Sequence, residues 1–347
     1  MNSGNRRKLH TAWRLTAVLL SLLLLSACAQ LNRQKERSTS FFAMDTHMTI
    51  RFTGGSDALT EAAEKEVRTL ENLISVTLDS SEIHRLNETG ENRISYETAL
   101  LLGKALELCR ETGGALDISV YPLVREWGFT TGEYHVPSGE VIRSLLEVVD
   151  YKALALDSDI MTLPAGMAID LGSIAKGYAG DRICQLLREG GVTSAILDLG
   201  GNIQTIGKKQ DGSPWRVAIQ SPTGSDYAGI LTVSDEAVVT SGGYQRYFED
   251  ENGHVWWHII DPETGYPAEK GLLSVTIVGT EGVRCDALST ALFVMGEEDA
   301  VSFWQAHRDF EMILITDDDR LLITSGLAGR FTPSDGQKYT VQTITGE

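Results

Sequence analysis

The chain carries apolar residues at helical spacing in several separate stretches, and each stretch predicts an amphipathic helix. The first apolar stripe consists of Leu59, Ala63, Val67, Leu70 and Ile74. A second helix is predicted from about Thr98 to the Gly113–Gly114 pair, where two glycines end the pattern. Ser138 is placed to cap a third helix that continues to about residue 149.

Alternating and short apolar runs predict strands between and after these helices. Residues 41–53 alternate between apolar and polar positions, which predicts one strand. Further strands are predicted at 153–156, 195–199, 215–220, 229–233, 273–278, 312–316 and 321–325. Because the later strands follow one another at hairpin spacing, we expect an α+β fold with mostly antiparallel sheets and flanking helices. A single large domain, in one or two lobes, is the simplest organisation.

The segment 169–181, IDLGSIAKGYAGD, predicts a helix whose start carries unusual chemistry. Gly172 and Ser173 are expected to form the turn and N-cap, and Gly190–Gly191 is expected to end the helix. Lys176 falls in the first turn, where a cation opposes the helix dipole. A lysine in that position indicates a bound anion at the helix N-terminus. A solvated surface lysine is the simpler alternative.

Residues 285–296, CDALSTALFVMG, predict another helix with polar residues at its start. Asp286 is expected at the N-cap, and Thr290 follows one turn later on the same side. A carboxylate and a hydroxyl stacked in this way form an oxygen-only half-site of the kind that Mg²⁺ accepts. An ordinary Asp cap, with the threonine bonding back to the helix, is the alternative.

Together with a third motif, these segments resemble the FAD:protein FMN transferases, the ApbE family of flavin-transferring lipoproteins. The resemblance runs from about Phe41 to the C-terminus and is carried by DLGSIAKGYA at 170–179, HIIDPETGYP at 258–267 and DALSTA at 286–291. Weaker matches include GALD at 114–117 and TSGGYQRY at 240–247. The family usually has Met-Gly-Thr near its N-terminus, whereas this chain has Met44-Asp45-Thr46. A side chain at position 45 would crowd or repel the nucleotide.

The resemblance implies that FMN is moved from FAD to a Ser or Thr hydroxyl of an acceptor protein, with AMP as leaving group. FAD would be the substrate, Mg²⁺ the cofactor, and the acceptor a subunit of a membrane redox complex. The family pattern places FAD against Met44, Ala115, Leu116, Asp117, Asp170, Lys176 and Ile260. The metal would be held by a backbone oxygen near Ser173 together with Asp286, Ser289 and Thr290. Asp286 and His258 would act in catalysis, with His258 as the base for the acceptor hydroxyl.

Two other functions would use much the same residues. A carrier lipoprotein that only binds FAD would keep the nucleotide pocket and lose the metal ligands, so the presence of Asp286 and Thr290 favours the enzyme. Hydrolysis of FAD to FMN and AMP would use the same metal with water as nucleophile, and the sequence leaves this open. For His258, a structural role that braces the turn at 261–265 is equally open.

The N-terminus has the pattern of a bacterial lipoprotein signal. Four Lys and Arg residues within 6–14 precede the apolar run 15–25, which is shorter than the roughly 20 residues of a spanning helix. The sequence LSAC at 25–28 matches the lipoprotein cleavage box. We therefore expect a signal peptide at 1–27, an acylated Cys28 (with palmitate, for example) and flexible tether at 28–40, and the flavin transferase domain at 41–347. This would anchor the protein to the extracytoplasmic side of the cell membrane.

The composition limits the partners that the chain can bind. A formal net charge of −18 repels nucleic acid and anionic lipid headgroups. The pyrophosphate of FAD is repelled as well, so a nucleotide site must supply positive charge locally, from Lys176, helix N-termini or a divalent cation. The cysteines after Cys28, which are Cys109, Cys184 and Cys285, lack metal-site spacing and are expected as buried free thiols.

Overall fold

The computed structural model describes residues 35–224 and 226–346, so the predicted signal peptide and Cys28 lie outside the described residues. The chain divides into the units Met1–Glu36 and Arg37–Glu347. The first strand begins at Glu36, inside the segment predicted as a tether, because polar residues also suit the exposed face of an edge strand. No helix within the described ranges is both long enough and apolar enough to cross a membrane.

Within residues 35–224 and 226–346 the structure contains eight α-helices and seventeen strands. The helices are α1 (Ala58–Ile74), α2 (Glu82–Thr89), α3 (Tyr96–Glu111), α4 (Tyr121–Glu126), α5 (Gly139–Leu146), α6 (Gly172–Glu189), α7 (Gly282–Met295) and α8 (Glu297–His307). The strands are β1 (Glu36–Ala43), β2 (Thr46–Thr53), β3 (Glu91–Arg93), β4 (Ala155–Asp157), β5 (Ile160–Thr162), β6 (Ser194–Leu199), β7 (Asn202–Ile206), β8 (Trp215–Gln220), β9 (Tyr227–Val233), β10 (Ala237–Gly242), β11 (Tyr247–Glu249), β12 (Val255–Trp257), β13 (Leu272–Gly279), β14 (Glu311–Thr316), β15 (Arg320–Thr324), β16 (Phe331–Pro333) and β17 (Thr340–Ile344).

The strands form one large sheet and three small ones in the described part of the chain. The large sheet has nine strands in the order β1-β2-β6-β7-β10-β13-β14-β15-β17. Its neighbours pair antiparallel from β2 through to β15, and β15 pairs parallel with β17. The expected α+β class with mostly antiparallel sheets is therefore confirmed. Helix α7 packs on β10 and β13 and also against α6, which brings two of the sequence motifs together.

The single strand predicted for residues 41–53 is wrong, because the segment forms a hairpin of β1 and β2. Its turn is Met44-Asp45, with φ of 47° and 59°. Positive φ at both central residues is typical of the two-residue turns that join antiparallel strands, and Asp adopts this conformation more readily than most residues. An even-numbered turn preserves the alternation of apolar and polar positions, so the pattern alone gave no sign of a break.

A second two-residue turn, Gly200-Gly201, joins β6 to β7 beside the first. Both glycines have positive φ, and a Cβ atom on Gly200 would lie 2.2 Å from the hydroxyl oxygen of Thr46. Glycine is required there because the two hairpin ends approach so closely. The first residues of β2 and β7 therefore lie close together, at the same end of the strands of the large sheet.

The three cysteines within the described residues are free and buried, as the sequence predicts. Burial raises the pKa of Cys109 and Cys184 to about 12, and it raises the pKa of Cys285 as well. A thiol with such a pKa is an inert part of the core at neutral pH.

Candidate active site

Residues from all three sequence motifs border one cavity of about 630 Å³. The predicted residues that border it are Met44, Ala115, Leu116, Asp117, Asp170, Ser173, Lys176, His258, Ile260, Asp286 and Thr290. Of the residues predicted for the site within the described ranges, only Ser289 does not border the cavity. The fold thus gathers segments far apart in sequence into one site.

Asp286 lies one turn inside α7, so its predicted place at the N-cap is wrong. The helix begins at Gly282, and its first amides are bound by Asp181 of α6, whose carboxylate accepts from Gly282 N at 2.7 Å and from Val283 N at 2.8 Å. The apolar pattern of 288–295 does not reach this first turn, which is why the sequence placed the start too late. The cap from α6 leaves Asp286 available for the cavity.

The Asp286 carboxylate reaches across to α6, where its Oδ2 accepts a hydrogen bond from Gly177 N at 2.8 Å. In an α-helix the N–H of residue 177 points toward the carbonyl of Ser173. The carboxylate and that carbonyl therefore lie around the same N–H group. The helices can approach this closely because a Cβ atom on Gly177 would lie only 2.2 Å from the carbonyl oxygen of Gly282.

Ser173 is not the N-cap of α6, which begins at Gly172 with no side-chain cap on Leu171. Asp170 takes over part of that role, because its Oδ1 accepts from Gly172 N at 2.9 Å. The predicted cap at Ser173 lies two residues too late, because glycine at the first helical position hides the helix start. Ser173 is half-buried and borders the cavity.

Thr290 and Ser289 occupy different positions although they are neighbours in sequence. Thr290 borders the cavity, and its Oγ1 lies 3.3 Å from Ser241 Oγ and 3.4 Å from the Asp286 carbonyl oxygen. Ser289 is fully buried, donates to the Asp286 carbonyl at 2.8 Å and pairs with Ser241 Oγ at 2.8 Å. Ser289 therefore supports the position of Asp286 and Ser241 from behind.

Negative groups outnumber positive groups around the cavity. The bordering carboxylates are Asp45, Asp117, Asp170 and Asp286, and the bordering cations are Lys176 and Arg246. Burial raises the pKa of the Asp286 carboxyl, and the nearby Lys176 opposes that rise. Lys176 borders the cavity and lies close enough to Asp286 and Asp170 to oppose the rise in pKa that burial causes in both carboxyls, so its charge acts where an anion would bind. A further anion in this cavity would require additional positive charge.

Asp117 and Asp170 differ in how many acceptor sites they leave open. Asp117 is buried and accepts from Ser119 N at 2.8 Å, from Ser119 Oγ at 2.6 Å and from Tyr151 N at 3.1 Å. Its carboxylate is thus largely occupied in fixing the loop that follows α3. Asp170 uses Oδ1 for Gly172 and keeps Oδ2 for a ligand hydroxyl or amino group.

His258 is fixed in one tautomer by the backbone of Arg246. The Arg246 carbonyl oxygen lies 3.2 Å from His258 Nδ1 and also accepts from His258 N at 3.1 Å. Because a carbonyl only accepts, Nδ1 carries the proton and Nε2 is left with its lone pair. Burial, followed by the charges of Arg246 and Lys176, lowers the pKa of His258 to about 4. The imidazole is therefore neutral at pH 7.

Arg246 borders the cavity beside the turn that joins β1 to β2. Its Nη2 donates to the Phe129 carbonyl at 2.5 Å and lies 3.9 Å from Asp45 Oδ2. The Asp45 side chain is 77 % exposed, so this ion pair is loose and screened by water. Asp45 stands at the mouth of the cavity, where the family pattern led us to expect interference with the nucleotide.

The oxygen atoms around Asp286 suit a hard divalent cation. Asp286, Thr290 and Ser173 border the same cavity and can supply a carboxylate, a hydroxyl and a backbone oxygen, and Mg²⁺ prefers oxygen ligands with few carboxylates and several waters. Within the described ranges there is no cluster of three His, Cys, Asp or Glu side chains that could hold a metal. The residues therefore fit a metal site in which the protein supplies one carboxylate. Substrate and water would supply the remaining ligands of the cation.

The geometry agrees with the comparisons to known proteins. The ApbE family model matches residues 44–314, which is most of the chain. The chain belongs to the ApbE family. It is 31 % identical over 351 residues to the FAD:protein FMN transferase of Treponema pallidum, with 94 % of this chain and 97 % of that protein covered. It is 32 % identical over 316 residues to the FAD:protein FMN transferase of Vibrio cholerae, covering 87 % and 93 %.

Solved structures of ApbE proteins have the same fold. The ApbE protein of Thermotoga maritima superposes with a TM-score of 0.78 at 30 % identity, covering 88 % of this chain and 100 % of that chain. The flavin transferase ApbE of Vibrio cholerae gives a TM-score of 0.77 at 28 % identity, covering 86 % and 99 %.

Several ApbE-site residues escaped the sequence analysis. The TSGGYQRY motif contains Arg246 but predicts no role for it, and no motif of the sequence singled out Asn202. Both border the cavity, as do Thr46, Ser241, Tyr244 and Gln245. The available signal was a polar residue directly after a glycine-rich turn at a strand end, where loops carry function.

Proposed function

We propose that this protein catalyses the Mg²⁺-dependent transfer of FMN from FAD to a Ser or Thr hydroxyl of an acceptor protein and releases AMP. The reaction is supported by its relatives, which are FAD:protein FMN transferases and a flavin transferase. One observation of the site carries the proposal furthest: the free Nε2 of His258 and the oxygen cluster of Asp286 border the same cavity.

His258 acts as the base for the acceptor hydroxyl. Its Nδ1 is held by the Arg246 carbonyl, so Nε2 takes the hydroxyl proton. The acceptor oxygen then attacks the phosphorus of the FMN half, and the bond between that phosphorus and the bridging oxygen breaks. AMP leaves with the bridging oxygen, which balances the reaction. Such transfers depend on positioning and on neutralisation of charge more than on covalent help from the enzyme.

Ser173, Asp286 and Thr290 are the residues that would hold Mg²⁺. When bound, the cation supplies the positive charge that polarises the pyrophosphate and stabilises the departing AMP phosphate. Without it, Lys176 and Arg246 alone face four carboxylates and the two charges of the pyrophosphate. This charge balance is the reason to expect a strict requirement for a divalent cation.

The nucleotide is bound by the remaining cavity residues. Lys176 and Arg246 attract the pyrophosphate, and Asp170 accepts from a hydroxyl or amino group with its open Oδ2. Met44, Ala115, Leu116 and Ile260 supply apolar surface for the ring systems. Asp117 acts mainly through the loop that it fixes.

A direct assay tests this function. The purified protein is mixed with FAD, Mg²⁺ and a candidate acceptor domain, and the expected result is covalent flavin fluorescence on the acceptor with stoichiometric AMP. Release of FMN and AMP without a labelled acceptor would instead identify an FAD pyrophosphatase. Binding of FAD with no turnover would identify a carrier.

We also propose that the protein is a lipoprotein anchored through Cys28 and acts on the extracytoplasmic side of the membrane. The support is the basic and apolar N-terminus with the LSAC box at 25–28. The acceptor would then be a subunit of a membrane redox complex that exposes its Ser or Thr on the same side.

A further inference from the structure

Asn202 is a fully buried polar side chain whose amide forms no hydrogen bond of normal geometry within the described residues. It begins β7 directly after the Gly200-Gly201 turn, it is 0 % exposed, and it borders the cavity. Neither Nδ2 nor Oδ1 of its amide makes a hydrogen bond to a residue in the described ranges. Buried amides are almost always hydrogen-bonded, because their desolvation is otherwise uncompensated. An orphaned amide at a cavity wall therefore indicates a partner that enters the cavity.

Gln204 shows that β7 normally pairs its buried amides. It follows two residues later on the same face of the strand, its Nε2 donates to the Gly177 carbonyl at 2.9 Å, and its Oε1 accepts from Cys184 Sγ at 3.6 Å. Asn202 is held as firmly, because its backbone pairs with Val239 of β10. The missing partner is thus a property of the site and not of a frayed strand end.

The surroundings of Asn202 define the chemistry of that partner. Its amide lies near the Asp286 carboxyl on the same cavity wall, but without the geometry of a normal hydrogen bond. The side chain offers one acceptor, Oδ1, and a donor group, Nδ2, side by side. A bare anion would satisfy only the donor, and a bare cation would satisfy only the acceptor. A phosphate group with a hydrated divalent cation satisfies both.

We propose that Asn202 binds the pyrophosphate of FAD beside Asp286. Nδ2 donates to a phosphate oxygen, and Oδ1 accepts from a water molecule of the bound divalent cation. Asn202 is thereby a substrate-binding residue of the transferase. The proposed function supplies only the identity of the ligand, FAD. The observation that the Asn202 amide lacks a hydrogen bond in the described residues does not depend on that function.

The test compares Asn202→Leu with a matched control, Asn87→Leu, in the full chain. FAD binding is titrated by flavin fluorescence without acceptor, and thermal unfolding is recorded without FAD. For Asn202→Leu we expect the Kd for FAD to rise by about tenfold or more, the loss of a hydrogen bond to a charged group. We also expect an unchanged or higher Tm, because an unpaired buried amide is removed.

Asn87→Leu should change stability in the opposite direction. Asn87 accepts from Ile169 N at 2.8 Å and donates to the Ile169 carbonyl at 2.9 Å, so its loss leaves two backbone groups unpaired and lowers the Tm. If Asn202→Leu behaved in the same way, with a lower Tm and an unchanged Kd for FAD, Asn202 would be structural and the proposal would be wrong.

Asn202→Asp separates the two halves of the proposal. The new carboxylate repels the pyrophosphate but attracts the cation, so we expect weak FAD binding at low Mg²⁺ and recovery as Mg²⁺ is raised. If the Kd of this variant for FAD did not change with Mg²⁺ concentration, the proposal would be wrong. The wild-type transfer assay is read separately, so failure of transfer and failure of the Asn202 contact are distinguishable.

Discussion

The N–H of Gly177 donates to Oδ2 of Asp286 at 2.8 Å and so joins the two helices that form the candidate metal site. The exchange is reciprocal, because Asp181 of α6 caps α7 at Gly282 and Val283. Each helix thus presents a carboxylate to backbone amides of the other. The positions of Ser173, Asp286 and Thr290 relative to one another depend on this crossing.

Asp286→Ala should abolish transfer and leave a folded protein. Loss of the only carboxylate in the oxygen cluster leaves pyrophosphate charge unneutralised in the transition state, and a deficit of several kcal/mol corresponds to a rate loss of at least roughly 10²–10³. Thr290→Ala should show a smaller loss. Transfer rates and circular dichroism spectra check both variants.

Asp181→Ala is the matched control for Asp286→Ala. It removes two hydrogen bonds to the first turn of α7 without removing an oxygen atom that borders the cavity, so it should cost about 1–3 kcal/mol of stability and reduce transfer far less than Asp286→Ala does. If Asp286→Ala also kept substantial activity at saturating Mg²⁺, Asp286 would not be a metal ligand.

Gly177→Ala should force the helices apart. The new methyl group would lie 2.2 Å from the Gly282 carbonyl oxygen and 2.8 Å from Asp286 Cβ, and overpacking of this kind costs about 1–3 kcal/mol. We expect a lower Tm and a higher Mg²⁺ concentration for half-maximal transfer. In α3, Gly103 has no atom within 4 Å of an added Cβ, so Gly103→Ala should instead be neutral or stabilising by up to about 1 kcal/mol. Equal Tm values for the two variants would contradict the close crossing.

Asp45→Asn should tighten FAD binding. It removes a carboxylate 3.9 Å from Arg246 at the cavity mouth, and asparagine keeps the backbone at φ 59° without strain. Exposed charge pairs contribute about 0.2–1 kcal/mol, so the Kd should fall by up to about fivefold at low salt. Asp299→Asn, on the exposed start of α8, changes the net charge equally and should leave the Kd unaltered. A Kd that responds to neither substitution would assign Asp45 no part in binding.

The pH dependence of transfer should reflect the lowered pKa of His258. A base must be neutral to accept a proton, so kcat/KM is expected to be lost only as pH falls toward about 4, well below the ordinary histidine value of about 6.5. Arg246→Gln removes a cation that lowers this pKa, so its acid limb should move to higher pH. The backbone carbonyl that holds Nδ1 is kept in the variant. An acid limb near 6.5 in both proteins would argue against His258 as the base.

Cys28→Ser should release the protein from membranes and leave transfer intact. Each buried CH₂ of an acyl chain contributes about 0.8 kcal/mol to anchoring, and none of this acts through the cavity. Membrane fractionation after a salt wash, with transfer assayed on the soluble fraction, checks both expectations. Retention of the serine variant on membranes would show that the lipoprotein assignment is wrong.

The sequence predicted the elements better than their junctions. The spacing of apolar residues and the capping residues correctly predicted α1 and the central strands, because these elements depend on local sequence. The Met44-Asp45 turn and the first turns of α6 and α7 were misplaced, because glycine, an even-numbered turn and a cap from another helix leave no periodic signal. The family motifs supplied most of the cavity residues. Asn202 and Ser289 could not be assigned correctly, because burial and partners arise only when distant strands and helices pack.

The two-residue turn at Gly200-Gly201 limits where insertions and deletions can be tolerated in the sequence of this enzyme. A strand that slips by one residue turns every side chain to the opposite face, so an insertion in this turn would swing Asn202 out of the cavity wall and Gln204 away from Gly177. The same holds for Met44-Asp45, which sets the pairing of β1 with β2. Natural variation in chain length should therefore accumulate at 208–213 and 334–338, while these two turns keep a constant number of residues even where their residue types change.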